Sequence, residues 1–150
     1  MMADLLTELK KITLYTTKQS LTEYCWELFN IVLSSSEADG WGMRQRNQAI
    51  LFCRFFVNTI NAAFSIKEAL TQDNLTNLNN SLLDKLQEHL ANLEEYQSEV
   101  ELDEVEQFFD GYSEILFRYE ESLFDSLSLR ISLSYFKDFF IRLRLIDLSL

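Results

Sequence analysis

Proline is absent from this chain of 150 residues, and glycine occurs only at positions 40, 42 and 111. All-β folds use such residues at most of their turns, so their scarcity argues against a sandwich or barrel and suits helices joined by short connections. One histidine and two cysteines leave no set of zinc ligands and no disulfide framework. Cys25 and Cys53 sit inside apolar helical patterns, Tyr24-Cys25-Trp26 and Phe52-Cys53-Arg54, and read as reduced core thiols. No uninterrupted apolar run reaches the roughly eighteen residues of a bilayer crossing, so no membrane span is expected. The opening Met1-Met2-Ala3-Asp4-Leu5 has neither the basic nor the apolar region of a secretory signal, which points to the cytoplasm.

What is present is bulk. Apolar residues make up 47% of the chain, including 12 Phe, 6 Tyr and 2 Trp, enough to fold despite a net charge of −11. One core, and hence a single helical domain over residues 1–150, matches this length.

Leu5, Leu6, Leu9 and Ile12 recur at helical spacing and mark a first helix. Ser20-Leu21-Thr22-Glu23 has the form of a capping box and predicts the start of a second, carrying Leu21, Tyr24, Cys25, Leu28, Ile31 and Val32. Residues 34–42 have no apolar period and hold two glycines, so they read as a loop. A long helix follows, with Ala49, Cys53, Phe56, Val57, Ile60, Ala63 and Phe64 on one face, widened by Phe52 and Phe55. Residues 71–76 read as a turn. Leu78, Leu82, Leu86, Leu90, Leu93 and Tyr96 predict the next helix, and Asp103 with Glu106 suggests the start of another through Val105, Phe108, Phe109, Tyr112, Ile115, Leu116 and Tyr119.

The last quarter is ambiguous. Leu127, Leu129, Ile131, Leu133 and Tyr135 alternate with Ser and Arg at a strand period, which admits a β-hairpin over 127–146. Phe136, Phe139, Phe140 and Leu143 also fall on one helical face, and Lys137-Asp138 is poor hairpin-turn chemistry. The expectation is therefore a mainly α fold, a compact bundle of about five or six helices, with the hairpin as its alternative ending.

No catalytic constellation is visible. His89 lies in no Glu-x-x-His or His-Glu-x-x-His frame, and no glycine-rich loop cradles phosphate. No enzymatic activity, cofactor or metal is expected. Charge is more informative. Fourteen acidic residues and two basic ones lie between Asp84 and Asp125, a net −12, whereas residues 1–83 carry −1 and residues 126–150 carry +2. On two helices, Glu88, Glu95, Glu99, Glu106, Asp110, Glu114, Glu121 and Asp125 can line neighbouring faces. Such a face either keeps the protein soluble or docks a basic protein partner, and its sign opposes direct nucleic-acid binding. Trp41, between Gly40 and Gly42, is a further candidate: exposed, it suits an interface anchor, and folded back, it caps the core.

Gln48-Ala49-Ile50, Phe64-Ser65 and Leu82-Leu83-Asp84-Lys85 are similar, in their order, to short strings in type I interferons. That resemblance implies a secreted four-helix ligand. The chain departs from the family in its N-terminus, its cysteines and its short first connection, and the family is not assigned. In composition it resembles small acidic immunity proteins and inhibitors. The leading expectation is thus an acidic intracellular module that inhibits or chaperones a basic protein, most concretely by neutralising a toxin. The alternatives are a secreted cytokine-like ligand and a subunit that assembles with copies of itself.

Overall fold

The computed structural model describes residues 2–14, 16–71, 77, 79–119 and 126–148. These form helices α1 (Met2–Ile12), α2 (Lys18–Ser34), the single turn α3 (Ser36–Asp39), α4 (Met43–Ala69), α5 (Asn80–Glu99), α6 (Leu102–Tyr119) and α7 (Ser126–Arg144). No strand occurs among the described residues. Residues 72–76, Leu78, Glu121 and Asp125 lie outside the description, and with them most of the expected turn at 71–76.

Helix α4 is the axis of the bundle. It packs most extensively along α5 and next along α2, while α1 lies over both α4 and α7, and α6 packs against α2 and α7. By length and composition α4 is apolar enough to cross a membrane, contrary to the reading of uninterrupted runs. Yet 56% of its most apolar window is buried inside the fold, as in a core helix. Ala49, Phe52, Cys53, Phe55, Phe56, Ile60, Ala63 and Ile66 are all buried on it. Phe56 is fully enclosed, with Phe140 at 4.4 Å, Phe108 at 5.0 Å, Phe136 at 5.5 Å and Phe29 at 6.0 Å between ring centroids. Those rings come from α7, α6 and α2, so one side chain ties four helices. Each such pair adds about 0.5–1.5 kcal/mol beyond the area it buries.

The helix starts are set by local chemistry, not always where the sequence suggested. Thr17, not Ser20, caps α2: its Oγ1 accepts the Ser20 N–H at 3.1 Å, placing Ser20 inside the first turn, and Glu23 instead accepts a hydrogen bond from Gln19 Nε2 at 3.0 Å. Asn79 Oδ1 caps α5 by accepting the Leu82 N–H at 2.8 Å. Helix α6 starts before Asp103, and the Glu101 N–H donates to Glu104 Oε1 at 3.4 Å. Residues 34–42 are a tight corner built around α3. Ser35 Oγ donates to Val32 O at 2.6 Å and accepts the Ala38 N–H at 3.3 Å, and Arg46 Nη2 donates to Ala38 O at 2.6 Å.

The hairpin over 127–146 does not form; residues 127–144 belong to α7 and 145–146 turn away from its end. Leu133, Phe136, Phe139, Phe140 and Leu143 are buried, a 3.6-residue face that fits onto α4 and α6, and Tyr135 Oη donates to Ile12 O at 3.2 Å. A strand in register with the alternation would have put Phe136 and Phe140 opposite Phe139 on its two faces, and lost one side of that core.

Candidate functional site

Glu88, Glu95 and Glu99 are exposed on α5, and Glu106, Asp110 and Glu114 are exposed on α6. The two helices do not run side by side: α5 lies along α4, and α6 lies along α2 and α7. The acidic residues therefore form no single two-helix face. Of these, Glu95, Glu99 and Glu106 lie nearest the joint, Val100-Glu101, between the two helices. Glu94, Glu95, Glu99, Glu101, Asp103, Glu104 and Glu106 are all exposed around it. Glu94, Glu101 and Glu104 were not singled out from the sequence, and Asp103 was singled out only as a helix start. The signal that finds them is the break between α5 and α6, because a corner gathers charges from both helix ends.

Two groups at this corner are ordinary helix chemistry. Asp103 and Glu104 lie in the first turn of α6, where the positive end of the helix dipole favours carboxylates. The end of α5 is the reverse case. Glu94, Glu95 and Glu99 lie at its C-terminal end, where the dipole is negative, and no basic residue occupies the last turn. Among the described residues, Lys137 and Arg144 on α7 approach this acidic region. Lys137 Nζ is 3.9 Å from Asp110 Oδ1, a loose pair with Asp110 largely exposed. Arg144 is partly buried, which lowers its pKa, while nearby Glu101 favours its charged form.

Trp41 is half-buried and packs against the core, its backbone N–H donating to Ala38 O at 3.1 Å. The tryptophan that stands out to solvent is Trp26 on α2, 52% exposed. Cys25 and Cys53 are both buried free thiols that neighbour each other across the α2–α4 interface. The Cys53 thiol, and burial after it, push the Cys25 thiol well above its ordinary range.

His89 is not isolated among apolar neighbours. With Asn92 and Tyr96 on α5 it faces Asn58, Asn61 and Ser65 on α4 across a groove of about 210 Å³. Both trios have i, i+3, i+7 spacing, a pairing visible only once the two helices are laid together. Among the described residues no group of three or more His, Cys, Asp or Glu side chains is placed to hold a metal ion.

The chain matches no protein-family model, and neither a curated protein nor a solved structure is significantly similar to it.

Proposed function

We propose that this protein is a small acidic binding module that docks a basic partner protein over the α5–α6 corner, and thereby inhibits or chaperones it in the cytoplasm. Neutralisation of a toxin is its most concrete form. The observation that carries this reading is the C-terminal end of α5. Carboxylates there oppose the helix dipole and one another with no cation in the last turn, so they lower the stability of the helix they sit on. Local rules are broken in this way where a surface serves recognition. A basic partner would relieve the repulsion, and the field would speed its approach.

Replacing Glu95, Glu99, Glu106 and Asp110 by their amides tests this. All four are exposed, so the fold should be at least as stable in chemical denaturation, while retention of a basic partner from native lysate on the immobilised protein falls. Retention equal to wild type would contradict the docking role.

The secreted-ligand reading keeps one supporting observation. The buried Cys25 and Cys53 thiols are neighbours on α2 and α4, the placement a disulfide between these helices would need in an oxidising compartment. Intact mass of the protein from its native source separates the two: free thiols support the cytoplasm, and a disulfide supports secretion.

A further inference from the structure

Between α1, the start of α2 and the last turns of α4 lies a mostly apolar cavity of about 430 Å³. Leu6 and Phe64 line it with carbon, and three lysines, Lys10, Lys18 and Lys67, line it against the single acidic residue Glu68. In a chain of net charge −11 this is a local reversal of sign. Among the described residues none of the three lysines is ion-paired.

Lys67 is held in place. Its Nζ donates to Thr13 Oγ1 at 2.8 Å, and that hydroxyl, on a residue only 3% exposed, donates in turn to Leu9 O at 2.7 Å. The ammonium also lies 5.5 Å from the centroid of the Phe64 ring. An ammonium carries three donors, and Thr13 uses one, so two remain for an acceptor. Lysines that merely cover apolar surface leave their heads in water. Here one head is fixed by a buried hydroxyl beside an aromatic ring.

We propose that this cavity binds an amphipathic carboxylate: an apolar chain or ring lies against Leu6 and Phe64, and its carboxylate accepts from Lys67, with Lys10 and Lys18 adding charge. The volume falls within the roughly 300–1,000 Å³ usual for small-molecule sites. Helices α5 and α6 contribute nothing to the cavity, so the acidic corner and this site stand or fall separately.

The test is titration of the full chain with octanoate below its micelle concentration, followed by amide chemical shifts and calorimetry. Saturable shifts confined to residues 6–18 and 64–71 are expected, with octan-1-ol and octylamine binding at least about tenfold more weakly, the usual effect of losing a charge-assisted hydrogen bond. Lys67→Met keeps the apolar stem and should weaken octanoate by about the same factor. Should that variant fail to fold, the double variant Lys10→Gln/Lys18→Gln leaves the Thr13 contact intact and should weaken octanoate several-fold. Absence of saturable shifts at these residues overturns the proposal, as does octan-1-ol binding equal to that of octanoate.

Discussion

Phe56 and Tyr24 show opposite consequences of burying an aromatic side chain. Phe56 is fully enclosed by rings from α2, α6 and α7, and Phe56→Ala should destabilise the fold by about 3–5 kcal/mol in urea denaturation, the usual cost of emptying such a site. Tyr24 stacks edge-on against Phe136 at 5.1 Å, but its buried hydroxyl has no hydrogen-bond partner among the described residues. Burial, with Glu27 nearby, raises its pKa well above the ordinary 10.0. The folded chain therefore holds this proton more tightly than the unfolded one. The resulting stability is complete below pH 10 and declines as pH rises above it. Tyr24→Phe removes the unpaired hydroxyl and keeps the ring, so it should be neutral to stabilising by about 1 kcal/mol near neutrality and lose that part of the alkaline decline. A Tyr24→Phe variant clearly less stable than wild type would show that the hydroxyl has a partner. Phe56 was legible from the sequence as one position on an apolar stripe. That it joins four helices was not, because periodicity identifies the buried face of a helix but not the elements that cover it. Phe29, buried beside Phe108 at 5.3 Å, was missed although its spacing from Cys25 and Val32 puts it on the same helical face.

At the scale of the element, helix existence was legible and helix starts were less so. Each cap can be satisfied by several neighbouring polar residues, and Thr17 and Glu101 won over Ser20 and Asp103 through geometry that spacing alone does not resolve. The C-terminal segment carried both a two-residue and a 3.6-residue pattern, and the core decided for helix by burying Phe136, Phe139, Phe140 and Leu143 together. Gly111 offers a check on α6. It lies within this helix, exposed, and a Cβ added there would meet nothing within 4 Å. Gly111→Ala should therefore stabilise the protein by about 0.5–1 kcal/mol through reduced backbone entropy. An unchanged or lower thermal midpoint would indicate that α6 is not continuous through this position.

Over the whole molecule, charge is divided by region. The imbalance between Asp84 and Asp125 was legible by counting, but its shape was not, since the sequence does not show that α5 and α6 part company at Val100. The result is a corner of carboxylates in place of a flat acidic face, with the lysine-lined cavity built from α1, α2 and α4 instead. The central claim is that this corner attracts a basic partner. Its most direct test is the association rate of the recovered partner, measured by stopped flow for wild type and for the variant with Glu95, Glu99, Glu106 and Asp110 replaced by amides. Rates at about 20 mM and about 300 mM salt compare weak with strong screening, since the Debye length is already only about 8 Å near physiological ionic strength. Wild type should associate at least about tenfold faster than the variant at low salt, and the two should converge at high salt. Equal rates at low salt, with circular dichroism showing the variant fully helical, would contradict the account and leave the acidic corner a solvated surface.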